Sequence, residues 1–297
     1  QPFGLPEFLR PAAVSTGRHR HVNLISTIRK RAKMNQPKII FFDIDDTLYR
    51  KSTDTLRPSV LQAMRALKAK GILTAIATGR TPAALPAKVQ QLIAEAEMDL
   101  LVMINGQYIR YQGEVLQKHP LKQTQIADMQ VFFEEHNIPY AFVSEQTIAV
   151  SERLPWVEVV LAEILPEHPI DKDYFKKHEV YQMLGFYPQK QDDLVAARAQ
   201  QSGLKTIRWH EQSVDMLDEQ GSKARGIATA IARLGIDMKD VMAFGDGLND
   251  IEMMQTVGFG VGMGNGRPEL KAVVDYICPT VEEDGVLNGL KALGVID

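Results

Sequence analysis

The stretch KIIFFDIDDTL, residues 38–48, decides the fold. Four consecutive apolar residues, Ile39 to Phe42, run straight into Asp43, Asp45 and Asp46. A short continuous apolar run of this kind fits a strand buried on both faces, as in a parallel sheet. In extended chain Asp43 and Asp45 project to the same side, so both carboxyls can serve one site. They stand at the carboxyl end of the strand, the edge where open α/β sheets bind ligands. Two like charges so close resist joint ionisation unless a cation joins them or one keeps its proton. A solvated acidic turn is the plainer alternative, and three aspartates directly after IIFF argue against it.

Working outward, strand and helix patterns alternate. Pro58 to Lys70 carries Val60, Leu61, Met64 and Leu67 at spacings of three and four, with Gly71 as a stop signal. ILTAIAT (72–78) reads as a second strand, Pro82 to about Ala94 as a helix, and LLVMI (100–104) as a third strand. Such alternation predicts a parallel sheet with right-handed crossovers. Asn105-Gly106 and Gln112-Gly113 then punctuate a small hairpin. From about Leu121 to His210 the texture changes: helices over 122–136 and 190–201 mix with short strands at 140–143, 147–150, 180–184 and 205–209. This predicts an inserted α+β domain. The α/β rhythm returns with a helix at 223–234, a strand at 241–245, a helix at 248–256, a strand at 259–263 and a helix at 268–274.

The second acidic cluster, GDGLND (245–250), also follows a predicted strand. Asp246 and Asp250 lie one turn apart if a helix starts at Gly247, so both could face one ion. Oxygen donors without His or Cys suit Mg²⁺. Asn/Asp/Gly turn chemistry is the competing reading. Thr78-Gly79-Arg80 ends the second strand, where a hydroxyl and free N–H groups entering a helix could cradle phosphate. Taken by itself, the same threonine reads more readily as a helix N-cap. Lys223 opens a helix after Ser222 and could be a point charge for phosphate, or simply a solvated lysine.

Taken together, these four positions resemble the motifs of the haloacid dehalogenase superfamily, reading here as DIDDTL (43–48), Thr78 in ATGR, Lys223, and GDGLND (245–250). The closer resemblance is to its Cof-type branch, through NGQYIRYQGEVL (105–116), VGMGNGRPELKAVVDYI (261–277) and EDGV (283–286). The resemblance implies a doubly wound parallel-sheet core of strand order 3-2-1-4-5, over 37–118 and 213–297. It also implies an α+β cap inserted over 119–212. It implies a phosphatase acting on small phosphomonoesters such as sugar phosphates, nucleotides or pyridoxal phosphate. Asp43 would be the nucleophile and Asp45 the general acid and base. Thr78, Gly79, Lys223 and Asn249 would bind the phosphoryl group. Asp43, Asp45 through its backbone carbonyl, Asp246 and Asp250 would make the Mg²⁺ site. A phosphomutase using the same aspartyl-phosphate, and a non-catalytic ligand-binding module, are the competing functions. Cap residues His119, Tyr140, Trp156, Tyr181 and Tyr187 are each better explained as packing or surface residues than as substrate contacts, and Trp209 and His210, near the return to the core, are ambiguous in the same way.

Composition is consistent with this. The 297 residues are 45% hydrophobic and 24% charged, ordinary for a globular chain. No apolar run approaches the roughly 18 residues a spanning helix needs, so no membrane partner is expected. The single Cys278 excludes an internal disulfide and fits a cytoplasmic setting. A net charge of −3 gives no reason to expect nucleic acid. Residues 1–36 are the exception, with seven Lys/Arg against Glu7 alone. An extension ahead of the enzyme, a targeting segment and a basic arm compete there. The first is the reading taken, with 34–297 expected to be active alone.

Overall fold

The computed structural model describes Met34 and residues 36–297, so the basic leader falls almost wholly outside the described residues. The chain begins with β1 (Ile39–Phe42), α1 (Pro58–Ala69), β2 (Leu73–Ala77), α2 (Ala87–Glu95), β3 (Leu100–Met103) and the hairpin strands β4 (Tyr108–Tyr111) and β5 (Glu114–Lys118). There follow α3 (Gln123–Glu135), β6 (Tyr140–Val143), β7 (Ile148–Val150), α4 (Pro155–Ala162), β8 (Gln182–Gly185), α5 (Asp192–Gln201), β9 (Leu204–His210) and β10 (Ser213–Asp218). The chain closes with α6 (Lys223–Leu234), β11 (Val241–Gly245), α7 (Ile251–Thr256), β12 (Phe259–Met263), α8 (Pro268–Lys271), β13 (Tyr276–Cys278) and α9 (Gly285–Ala292).

Among the described residues two sheets form. The larger has the order β13-β12-β11-β1-β2-β3-β4-β5. Its parallel part contains the expected 3-2-1-4-5 arrangement, extended by β13 at one edge and by the antiparallel hairpin at the other. β1 shows why IIFF belongs at the centre. Ile39 and Phe41 pack into one apolar cluster, Ile40 and Phe42 into another, so alternate side chains feed the two faces of the sheet. In α1, Val60, Ala63, Met64 and Leu67 are buried on one stripe, the period the sequence displays.

The second sheet is antiparallel, in the order β7-β6-β8-β10-β9. One face, with Phe142, Met183 and Met216, shares a core with Phe133 of α3 and Val195 of α5. The other face carries Val143 and Leu184, which belong to the apolar cluster continuing into the larger unit. β10 was not expected. It pairs with both β8 and β9, so the second sheet extends to Asp218 rather than ending before 213.

Several helices differ from expectation at their starts or ends, and for one of them the sequence carries the reason. The predicted helix from Pro82 is a 3₁₀ turn, Pro82–Ala84, followed by α2. Pro86 separates them, because proline disfavours helical backbone in the residue before it, and Leu85 is extended. The 248–256 helix opens as a 3₁₀ turn, Leu248–Asp250, before α7, and α8 stops at Lys271.

Candidate active site

Asp43 leaves β1 at the sheet's carboxyl edge, its N–H bonded to the Phe244 carbonyl of β11 at 3.0 Å. β1 and β11 are adjacent, so the chain reversals after both strands deliver their acids to one crevice. There the carboxylate oxygens of Asp43, Asp246 and Asp250 come within 4.8 Å of one another.

Lys223 enters this group from the first turn of α6. Ser222 caps the helix by accepting the Arg225 N–H at 3.0 Å, which fixes where Lys223 starts. The Lys223 Nζ donates to Asp43 Oδ1 at 2.8 Å and to Asp250 Oδ1 at 2.6 Å, and the whole side chain is buried. Burial works against the ammonium, yet the charges of Asp250 and Asp43 outweigh it and hold its pKa above the ordinary lysine range. The second oxygen of Asp250 accepts the backbone N–H groups of Asp246 and Gly247, at 3.0 and 3.1 Å. Asp250 thus shapes the loop that presents Asp246.

Burial, and then the charge of Asp250, raise Asp43 to about 7 against the pull of Lys223. Burial, and then the charges of Asp43 and Asp250, raise Asp246 well above the usual carboxylate range. Three acids against one ammonium leave the cluster short of positive charge. Oxygen donors alone, arranged in this way, fit a hard divalent cation.

Asp45 does not join them directly. Arg80 holds its carboxylate in a two-pronged pair, Nε to Oδ2 and Nη2 to Oδ1, each at 2.8 Å. Arg80 also donates from Nη1 to the Ala84 carbonyl at 2.7 Å and reaches the Ile164 carbonyl beyond α4 at 3.4 Å. Thr78 is buried at the end of β2 and its hydroxyl accepts the Arg80 N–H at 3.0 Å. Gly79 is needed for space: a Cβ there would stand 3.2 Å from Asn105 Oδ1 and 3.3 Å from Asn249 Nδ2. Those two asparagines bond to each other, Asn249 Nδ2 to Asn105 Oδ1, at 3.1 Å.

Asn105 is a residue whose part the sequence reading missed. It sits in a turn where Ile104, Asn105 and Gly106 all take positive φ (51°, 52° and 87°). The turn is jammed against α6, since a Cβ on Gly106 would stand 1.9 Å from the Ser222 carbonyl oxygen. Asn105 Nδ2 donates onward to Asp215 Oδ2 at 2.9 Å and to Gln182 Oε1 at 3.1 Å, both on the second sheet. Asn105-Gly106 signals a turn in the sequence, but nothing local marks its partners.

The crevice opens into a cavity of about 800 Å³ walled by both sheets. Of the seven ambiguous cap residues only Trp209 and His210 line it. Tyr140 and Tyr187 are buried inside the second unit, Tyr181 is buried edge-on against Tyr108 of β4, Trp156 lies edge-on to Phe186, and His119 follows β5 away from the cavity.

These features define a member of a known enzyme family. The profile of the haloacid dehalogenase-like hydrolases matches residues 40–290, and the chain belongs to that family. A putative phosphatase of Bacillus subtilis, YkrA, is 34% identical over 261 residues, 87% of this chain and 98% of that protein. A putative bifunctional phosphatase/peptidyl-prolyl cis-trans isomerase of Streptococcus pyogenes is 33% identical over 266 residues. That match takes in 89% of this chain and only 56% of the longer protein. Among solved structures, the HAD subclass IIB sugar phosphatase BT4131 superposes with a TM-score of 0.80 at 31% identity, covering 87% of this chain and all of that one. The chain is a phosphatase of this superfamily, with the α/β core and additional antiparallel sheet such enzymes carry. No helix among the described residues is long and apolar enough to cross a membrane.

Proposed function

We propose that the protein hydrolyses small phosphomonoesters in the presence of Mg²⁺, with Asp43 as nucleophile. The observation that carries the reading is the buried Asp43–Lys223 pair at the mouth of the second-sheet cavity, with Asp246 beside it. A carboxylate oxygen of Asp43 attacks phosphorus, the bond to the leaving oxygen breaks, and that oxygen keeps the bonding electron pair and takes a proton from Asp45, one of whose carboxyl oxygens gives up its Arg80 contact to carry it. Asp45 then removes a proton from water, which attacks the aspartyl-phosphate. Phosphate leaves and Asp43 is restored. Thr78 and the N–H of Gly79 bind phosphoryl oxygens, and Lys223 compensates their charge as it moves in transfer. Asp43, the Asp45 carbonyl and Asp246 would hold Mg²⁺, with Asn249 and Asp250 as support. When bound, the ion supplies the positive charge these acids lack. The unit carrying the second sheet acts as a cap that walls the leaving group from water.

The test is phosphate release from a phosphomonoester panel with Mg²⁺, with EDTA, and with Asp43→Asn. Turnover is expected only for the wild type with Mg²⁺, while the variant keeps its circular dichroism spectrum. Activity surviving in the variant would refute the nucleophile, and activity surviving chelation would refute the metal.

A further inference from the structure

Asp43 is fixed by its strand, but the acidic loops that gather around it are not. The ladder between β1 and β11 ends with Phe42 opposite Phe244, and the Asp43 N–H adds one last bond to the Phe244 carbonyl. Asp45, Asp46 and Asp246 all lie past that point, where the two strands no longer hold each other. Asp43, Asp250 and Asp46 each repel a charged Asp246. Left to themselves, the two loops would move apart.

A third loop joins them. Residues 264–267 leave β12, which pairs with β11 on the side away from β1. Asn265 Nδ2 nonetheless donates to the Asp46 carbonyl at 2.9 Å, reaching past the β11 loop to the loop of β1. Two residues on, the Arg267 N–H donates to the Asp246 carbonyl at 2.8 Å. Between them Gly266 lies directly on Asp246, since a Cβ there would stand 3.1 Å from the Asp246 carbonyl oxygen and 3.3 Å from its Cα. One short strap therefore grips both acidic loops, the first with a side chain and the second with its backbone. The strap is itself held in place. Asn265 Oδ1 accepts the Val281 N–H at 2.9 Å, so both ends of the amide are used and its orientation is dictated by its partners. The Gly264 carbonyl accepts from Lys271 Nζ, and the Gly266 N–H donates to the Met263 carbonyl at 2.9 Å.

We propose that Asn265 is a positioning residue for the divalent cation, fixing the spacing between the Asp45 carbonyl and Asp246 through the loops that carry them. This rests on the Mg²⁺ reading above and extends it to a residue outside both acidic clusters. Asp46 takes a positive φ of 60° and its N–H donates to the Tyr49 carbonyl at 2.6 Å. In a planar trans peptide the C=O lies opposite the N–H, so that bond sets the direction of the Asp45 carbonyl. Asn265 holds the next carbonyl along, that of Asp46. The two peptides after Asp45 are thereby fixed, one by Tyr49 and one by the strap. Mg²⁺ demands near-ideal octahedral geometry at about 2.0–2.1 Å, so a loop displaced by a few tenths of an ångström loses affinity. Groups that orient ligands without touching the ion commonly matter about 10- to 100-fold in metal affinity.

The experiment measures metal binding directly, on the full chain freed of metal with EDTA and desalted. Mn²⁺, which takes the same oxygen ligands, is titrated in and the free ion is read by electron paramagnetic resonance, with Mg²⁺ as competitor. Four proteins are compared: wild type, Asn265→Ala, Arg267→Pro and Arg267→Ala. Arg267 has φ −63° and ψ 142°, a conformation proline adopts, so Arg267→Pro deletes the N–H at the other end of the strap and keeps the path of the chain. Arg267→Ala keeps that N–H and removes only the side chain. Asn265→Ala and Arg267→Pro should each weaken Mn²⁺ and Mg²⁺ binding about 10- to 100-fold with the circular dichroism spectrum unchanged, and Arg267→Ala should not. The Mg²⁺ concentration for half-maximal phosphate release should rise by the same factor. An Asn265→Ala protein that melts lower but binds the ions as wild type does overturns the proposal, because that is the mark of a merely structural role. Should Asn265→Ala not fold, the two Arg267 variants decide, and equal affinities in both overturn it. A wild type that takes up neither ion instead brings down the metal reading, and the inference with it.

Discussion

Replacing Lys223 by methionine keeps the length of the side chain and removes its charge from between two buried carboxylates. Lys223 makes two charge-assisted hydrogen bonds, at 2.8 and 2.6 Å, inside a site closed to solvent. Hydrogen bonds to charged groups contribute about 1.5–3 kcal/mol each, and removing one partner of a buried ion pair costs about 3–5 kcal/mol. The larger of these governs, because Asp43 and Asp250 are left facing each other without a cation. At roughly 2–4 °C per kcal/mol the melting temperature, read by calorimetry at pH 8 in EDTA, should fall on the order of 10 °C. Adding Asp250→Asn to Lys223→Met removes one of the two stranded charges, so the double variant should be more stable than the single one. Phosphate release with Mg²⁺ should fall about 10²–10³-fold in kcat, the usual loss when one charge-stabilising donor is removed. A melting temperature within about 2 °C of wild type, or a double variant less stable than Lys223→Met, would refute the view that this lysine neutralises two buried acids.

Gly106→Ala should cost several kcal/mol or prevent folding, because the left-handed turn is closed to a Cβ by the Ser222 carbonyl; denaturant midpoints check this. Gly79→Ala is milder. Its Cβ forces the Asn105–Asn249 pair apart by a few tenths of an ångström, so KM should rise several-fold with the melting temperature nearly unchanged. Asp215→Asn should also change how stability varies with pH. A carboxyl raised to about 7 in the folded chain, against about 3.9 unfolded, makes the native state bind more protons over that window. Wild-type stability therefore falls as pH rises from about 4 to 7, and the variant lacks that contribution. The gain in melting temperature of Asp215→Asn over wild type should be larger at pH 8 than at pH 5, and an equal difference at both would refute it.

What the sequence revealed and what it withheld divide along the distance over which each residue finds its partners. Asp43 and Asp246 were legible because each ends an apolar run, and a strand end is a local signal. Lys223 was legible only through its likeness to a family motif. Read alone it is a solvated lysine, and its burial follows from acids 180 and 27 positions away. Arg80 stood in view beside Thr78, yet its grip on Asp45 spans 35 positions. β10 went unrecognised because Ser213–Asp218 places Asp215 where an alternating strand would turn a charge to water. Only the register against Leu184 and Ile207 turns it inward. The Pro82 helix differs for the opposite reason: Pro86 is a local signal, and its ring turns Leu85 out of helical backbone.

The contact between Gly106 and Ser222 carries a lesson for redesign. With no gap between them, the turn bearing Asn105 and the helix start bearing Lys223 form one rigid footing, fixed to the larger sheet through β3. Asp215 and Gln182 stand on different strands and touch that footing through the Asn105 amide. A chain so built can exchange its roof while its floor stays still. New leaving groups are therefore best sought by varying the cavity-lining positions 182, 184, 207 and 215 together, with 104–106 and 222–226 left as they are.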